Sequence, residues 1–306
     1  MNFELTDDQR AIQRAARDFL ADAYPPAEVR RLAYETERGF TDEGWAAICE
    51  LAWPALLVPE EHGGLGLGVV ELAVVQEELG AALAPSPFLS TVAAAALIAD
   101  AGSDEQRARW LPGLASGETT GAIGGPEMVA DGDGAAVIVL VEDGAARVLD
   151  AADADVEPFD SIDPTRRFAR VRADGQPLGG DVPAAIDRAV AALSAELVGV
   201  SQRALDMTLA YVKDRKQFDT PVGAFQAVGH RCAQMLLHTE GARSAAYFAA
   251  WAADAAPERL SEAASLAKAA GSESGREVTA SAIQAHGGIG FTWEADVHWL
   301  YKRAQL

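Results

Sequence analysis

Between residues 184 and 286 the chain carries three long stretches in which apolar residues recur at helical spacing, with very short connections between them. Leu193, Leu197, Val200, Ala204 and Met207 mark one face of a helix expected to run to Arg215. Phe225, Val228, Cys232, Met235 and Leu236 open a second. Residues 259–285 form a third, closed by Gly287 and Gly288, which accept left-handed backbone. Long helices with short joints must fold back on one another, so an up-and-down bundle is predicted. The first joint, DRKQFDTPVGAFQ (214–226), is rich in polar and aromatic groups. Pro221 and Gly223 break the helix, while Arg215 and Lys216 sit where cations suit the negative end of a helix dipole. Phe218 and Phe225 bracket the turn, and Gln217 and Gln226 add hydrogen-bonding groups. Taken alone, the stretch reads as a dipole-compensated helix end with two aromatic anchors.

Residues 1–118 also read as helices. Thr6 and Gln9 form a capping box ahead of Ile12, Ala15, Ala16 and Phe19. A second helix is expected from Thr41, carrying Trp45, Ile48 and Cys49; PEEHGGLGLG (59–68) is a loop and VVELAVVQEELG a further helix. Ser103 and Gln106 repeat the capping box before a short helix expected to stop at Leu111–Pro112. From Thr119 the pattern changes. AAVIVLV, EDG and AARVL read as a hairpin, and FARVRA (168–173) as another strand. The expectation is a mainly α chain with a small β domain: helices over 1–118, a few-stranded β unit over 119–183, and a helical bundle over 184–306.

The formal charge of −21 argues against nucleic acid or an anionic membrane as the main partner, though a local cluster of cations can still hold an anionic ligand. Two cysteines without metal-type spacing suit a reducing compartment. The amino terminus has no basic start or long apolar run, and TVAAAALIA (91–99) is too short to span a bilayer, so a cytoplasmic protein is expected. GGLGLG (63–68) lacks the spacing of a dinucleotide fingerprint, and the five histidines are scattered, so no metal site is expected.

A second polar and aromatic stretch, IQAHGGIGFTWEADVHWLYKR (283–303), follows the third bundle helix. Its glycines would let a ligand approach the backbone closely. Together the two stretches resemble the acyl-CoA dehydrogenase family. The family pattern R-x-x-F-G-x-x-(I/V)-x-x-F-Q stands here as Arg215, Phe218, Asp219, Val222, Phe225 and Gln226. The pattern Q-x-x-G-G-x-G-(F/Y) stands as Gln284, Gly287, Gly288, Gly290 and Phe291. FELTDDQ, the stretch from Trp53 to Gly68, EELG (77–80) and DEQRARWLPGLASGE (104–118) are similar to that family's first helical domain.

The resemblance implies an N-terminal helical domain, an abbreviated β domain and a C-terminal four-helix bundle in a tetramer. It implies FAD between β domain and bundle, an acyl-CoA substrate, and an electron-transfer flavoprotein as acceptor. Arg215 would meet the pyrophosphate, Phe218 would pack on the cofactor, and Gln217 and Gln226 would complete that side. Gln284, Gly287 and Gly288 would meet the adenosine–pyrophosphate end of FAD bound by a partner subunit.

Three departures from the family pattern matter. The stretch that usually runs along the flavin ring is GAIGGPEMVADGDG (121–134) here, and SIDPTRRFARV (161–171) looks like the D-x-T-R segment of short members. The catalytic Glu usually follows the K-R-A segment by several residues, and Leu306 precedes that point. Where other members place the base early in the first bundle helix, Ala189 stands; Asp187 is the nearest candidate, and Glu196 reads as a surface or interhelix carboxylate. Asp219 replaces the usual glycine after Phe218. Such departures resemble the base-less subunits of α2β2 acyl-CoA dehydrogenases that act on steroid side-chain thioesters. The expected role is a subunit that completes the FAD site of a homologous partner. A self-sufficient homotetramer, or a flavin oxidase or monooxygenase on the same scaffold, stands as the alternative.

Overall fold

The computed structural model describes residues 4–306, so Phe3 of the FELTDDQ stretch lies outside them. Six helices come first: α1 (Asp7–Ala23), α2 (Pro26–Glu35), α3 (Asp42–Glu50), α4 (Val69–Ala82), α5 (Phe88–Ala101) and α6 (Asp104–Ser116). Both capping boxes form: the Gln9 N–H donates to Thr6 Oγ1 at 3.2 Å, and the Gln106 N–H to Ser103 Oγ at 3.3 Å. Two details differ from expectation. Helix α2 precedes the one capped by Thr41; its start is set by Pro26 at the first position, where the missing N–H has no partner to lose. Helix α6 does not stop at Pro112 but continues to Ser116 and ends at left-handed Gly117. Burial of Leu111, Leu114 and Ala115 outweighs the roughly 3 kcal/mol that an internal proline costs.

The β unit is larger than a few strands. Strands β1 (Gly121–Gly125), β2 (Met128–Ala130), β3 (Val137–Glu142), β4 (Ala145–Asp150), β5 (Asp155–Phe159), β6 (Phe168–Arg172) and β7 (Gln176–Pro177) make one sheet in the order β5-β6-β2-β1-β3-β4-β7. The pairing of β1 with β3 is parallel and the rest is antiparallel. The β3–β4 hairpin turns at Asp143 and Gly144, both with positive φ, which matches the twist of the strands it joins. Val137 and Val139 face a core shared with α5 and α6, whereas Ile138 and Leu140 face a second small core. Cover on both faces explains why β3 reads as an unbroken apolar run.

The remaining chain is α7 (Val182–Asp214), a short hairpin of β8 (Lys216–Gln217) and β9 (Thr220–Pro221), α8 (Gln226–Ala255), α9 (Leu260–His286) and α10 (Val297–Gln305). Helix α7 is the axis of the molecule, packing on α4, α8 and α9. Alanines fill much of this interface, among them Ala195, Ala246, Ala249, Ala263 and Ala267, so backbones approach closely. The closest approach is where α4 crosses α7. A Cβ on Gly199 would lie 1.9 Å from the Glu77 carbonyl oxygen, and one on Gly80 2.2 Å from that of Glu196. Neither obstacle is a side chain that can swing away. Gly199→Ala is therefore expected to wedge the helices apart and destabilise the protein by about 2 kcal/mol. The check is the urea midpoint; an unchanged value would mean that the crossing has slack.

Candidate functional site

The polar corner forms one end of the bundle. Helix α7 stops at Asp214, Arg215 is extended, and the chain reverses through the β8–β9 hairpin, with Lys216 opposite Pro221 and Gln217 opposite Thr220. Phe218 (φ 53°) and Asp219 (φ 60°) are its two central residues. Two left-handed residues suit such a turn, but the usual occupants are Asn and Gly. Asp tolerates this conformation, while Phe is strained by about 1–2 kcal/mol. Phe218 is also 90% exposed. An aromatic ring is thus held outward at an energetic cost that burial does not offset.

The glycine pair reaches the same end. The Tyr211 ring, in the last turn of α7, stacks on His286, in the last turn of α9, with centroids 4.4 Å apart. Gln284, Gly287 and Gly288 are all exposed. Gly287 has φ 65° and ψ −141°, and a Cβ on either glycine would meet nothing within 4 Å, so the backbone forms an open shelf. Arg215 and Gln226 are exposed too, and among the described residues no side-chain hydrogen bond engages the Arg215 guanidinium. Gln217 Nε2 donates to the Lys216 carbonyl at 2.9 Å. An unpaired cation, an outward ring, amides and a bare glycine backbone suit a ligand that is part aromatic and part anionic.

A second candidate lies at the opposite end of α7. A cavity of about 1020 Å³ opens between the sheet, α5, α7, α9 and α10. Ile123, Gly124, Gly125 and Met128 line it from the sheet, and Ile186, Ala189, Val190 and Leu193 from α7. The β1 side chains offer no hydrogen-bond donor. Asp187 is not part of this wall: it is half-buried, and burial raises its carboxyl above the ordinary value.

Glu196 does reach the cavity, but it is no surface carboxylate: it is 2% exposed. The Arg303 guanidinium donates to Glu196 Oε1 at 2.5 Å and to Asp163 Oδ2 at 2.5 Å, and Gln76 Nε2 donates to Glu196 Oε2 at 2.8 Å. Arg166 Nη2 contacts both Glu196 oxygens. Burial pushes the Glu196 carboxyl up, but Arg166 and Arg303 outweigh it and hold the value at about 2. A carboxylate so held is a poor proton acceptor. Ser90, also on the cavity wall, donates to buried Asp131, at 2.5 Å.

Between the first helices and the bundle lies a third space, a cleft of about 740 Å³. Several of its charges are paired: Arg17 with Glu78 at 2.7 Å, and Arg243 with Glu77, which also accepts from Tyr247 at 2.9 Å. The start of α4, after the glycine-rich loop, is no phosphate cradle, because Asp254 already accepts from the N–H groups of Val69 and Val70, at 2.8 and 3.0 Å.

Sequence reasoning singled out the corner and the glycine pair because they break helical patterns with costly residues. It missed the Asp163–Arg303–Glu196–Arg166 cluster. The available signal was spacing: Val297, Leu300 and Arg303 fall three apart, which puts Arg303 on the apolar face of α10.

Known proteins share this architecture. The family model described as acyl-CoA dehydrogenase, C-terminal domain, matches residues 184–306, and that described as acyl-CoA dehydrogenase, N-terminal domain, matches residues 6–118. The chain is 36% identical over 299 residues to acyl-CoA dehydrogenase IpdE2 of Mycolicibacterium smegmatis, covering 97% of this chain and 92% of that protein. Among solved structures, the Tcur3481-Tcur3483 steroid ACAD G363A variant is similar with a TM-score of 0.88 and 27% identity over 98% of this chain and 92% of that one. The ChsE4-ChsE5 complex from Mycobacterium tuberculosis is similar with a TM-score of 0.87 and 26% identity over 100% of this chain and 93% of that one.

Proposed function

The chain belongs to the acyl-CoA dehydrogenase family, and from that premise we propose that it acts as one subunit of a hetero-oligomeric acyl-CoA dehydrogenase, completing the FAD site of a homologous partner without supplying the catalytic base. The observation that carries the reading is an asymmetry. The bundle end presents an unpaired guanidinium and a bare glycine shelf, while Glu196, the buried carboxylate on the wall of the chain's own cavity, is locked by two arginines. Two of the similar structures carry the names of two proteins each, Tcur3481-Tcur3483 and ChsE4-ChsE5.

In this reading Arg215 neutralises pyrophosphate charge, Phe218 covers a ring of the nucleotide, and Gln226 hydrogen-bonds it. Gln217 sits beside them on the hairpin. Gln284, Gly287 and Gly288 let the adenosine–pyrophosphate end lie against the backbone. Bound FAD supplies the hydride acceptor for α,β-dehydrogenation of an acyl-CoA thioester, with an electron-transfer flavoprotein as the next acceptor. In this reading the α-proton goes to a base on the partner, and Glu196, held by Arg166 and Arg303, is not that base. Two free cysteines agree with a cytoplasmic setting, and among the described residues no helix is long and apolar enough to cross a membrane.

The chain purified alone is expected to be colourless or poorly loaded, and to gain FAD when co-expressed with a homologous subunit. A flavin-loaded homo-oligomer that oxidises acyl-CoA would refute the subunit role. In the assembly, Arg215→Ala is expected to lower FAD retention at least tenfold, the loss of one charge-assisted contact. Asp219→Gly removes a carboxylate that would face the pyrophosphate and is expected to raise retention. Flavin absorbance per chain after gel filtration reads both, and equal retention in the two variants would remove the clamp from the corner.

A further inference from the structure

The two halves of the bundle-end site come from different helices, and each is fastened to a ring that belongs to neither half. The Arg215 N–H donates to the Tyr211 carbonyl at 2.8 Å, and the Arg215 carbonyl accepts from the Val222 N–H, also at 2.8 Å. The hairpin is thus hydrogen-bonded back to Tyr211. On the other side Gly287 directly follows His286, and the turn beyond it folds back onto the same residue. A Cβ on Gly290 would lie 3.1 Å from the His286 Cβ and 2.6 Å from the Ile283 carbonyl oxygen.

The rings of Tyr211 and His286 lie face to face, 4.4 Å between centroids and 21° between planes. The His286 ring is held in place. It is 7% exposed, and its Nδ1 lies 2.8 Å from the Ala282 carbonyl oxygen. A carbonyl can only accept, so Nδ1 carries the proton. The last turn of a helix has carbonyls without intrahelical partners and is among the first parts to open. Here two such turns, one from α7 and one from α9, are held against each other by a contact that neither helix makes alone. The nearby polar link to α9, from Arg231 Nη1 on α8 to Ser281 Oγ, is long, at 3.5 Å.

Resting on the flavin reading of this end, we propose that Tyr211 and His286 are positioning residues for the nucleotide. Their stack sets the separation of the Arg215 guanidinium from the backbone shelf at Gln284, Gly287 and Gly288, so that one dinucleotide meets both. Neither ring has to touch the ligand. The stack acts by presetting a spacing that would otherwise have to be ordered at the moment of binding, at a cost in affinity.

Three substitutions separate the stack from other roles. His286→Leu and Tyr211→Leu each remove one ring, whereas His286→Phe keeps a ring and removes both nitrogens. In the assembly with a homologous subunit, each Leu variant is expected to retain FAD about fivefold less well, the worth of one aromatic pair. The chain carrying both Leu substitutions should retain it no worse than either alone, because the same contact is lost. His286→Phe should retain FAD as the unsubstituted chain does. Amide hydrogen exchange on the full chain without flavin supplies a second readout. Each Leu variant should speed exchange over 211–222 and over 284–291 together, although only one of these stretches carries the substitution. Acceleration confined to the substituted stretch would overturn the proposal, as would His286→Phe behaving like His286→Leu. Leu variants with full retention, beside an Arg215→Ala variant that has lost it, would overturn the positioning role and leave the flavin reading standing. Full retention in all three would overturn both. Should one Leu variant not fold, the other reads the same contact from the opposite helix.

Discussion

Replacing Arg303 by methionine is expected to lower the unfolding free energy by about 3–5 kcal/mol, the range for removing one member of a buried ion cluster. The side chains of Arg303, Asp163 and Glu196 are 5%, 1% and 2% exposed. Removing the guanidinium strands two carboxylates in a region that cannot solvate them. Asp163 keeps the N–H and hydroxyl of Thr165, at 2.9 and 2.6 Å, and Glu196 keeps Arg166 and Gln76. The loss is therefore large but short of unfolding. Arg303 also fastens α10 to the β unit, through Asp163 and Thr165, and to α7, through Glu196. The variant should consequently lose protease protection over residues 297–305 before the rest of the chain. Adding Asp163→Asn to the variant removes one stranded charge and is expected to restore part of the loss. By contrast, Arg10→Ala breaks an exposed contact with Asp7 and should leave the urea midpoint unchanged. If Arg303→Met behaves like Arg10→Ala, the cluster is not holding the helix.

The same cluster sets an acid limit. Glu196 is held at about 2 in the folded chain against an ordinary value of 4.5, so the stability it contributes is complete above pH 4.5 and is lost as pH falls toward 2.

The parts of the fold legible in sequence are those where one face is buried and the other wet. The bundle helices, the Asp143–Gly144 hairpin and both capping boxes follow local rules that tertiary packing reinforces. Strands β1, β2 and β5 were not legible. Glycines leave β1 with little side-chain pattern, β2 has three residues, and β5 is mostly exposed, paired on one edge with β6. For the site, the readable signs were the helix-breaking Pro221 and Gly223 amid polar and aromatic residues, and glycines after a long helix, which together matched the family patterns. Glu196 gave no such sign. Helix α7 is buried on several sides, so a carboxylate there cannot be told from an exposed one by periodicity, and its partners are 30, 107 and 120 residues away.

Asp131→Asn is expected to stabilise the protein at pH 7, by about 3 kcal/mol at most, with the gain vanishing near pH 4. Asp131 is 8% exposed and accepts from Ser90, which lines the large cavity. Burial pushes its carboxyl up and Asp133 adds to this, while Ser90, Arg166 and Arg303 act the other way; the result is about 6, against an ordinary 3.8. A value raised on folding means that the folded chain binds the proton more tightly than the unfolded chain. The folded state is thus penalised where Asp131 is ionised in both, above pH 6, and the penalty disappears as pH falls from 6 to 3.8. Two pH units correspond to about 3 kcal/mol. Asn removes the charge, can still accept from Ser90, and tolerates the φ of 55° found at this position. Urea midpoints of the two proteins at pH 7, 5.5 and 4 isolate the effect, since every other titrating group is shared. The difference should shrink steadily toward acid. A constant difference would mean that Asp131 is already ordinary in the folded chain. A variant weaker at every pH would mean that the ionised carboxylate, through Ser90, binds α5 to the sheet.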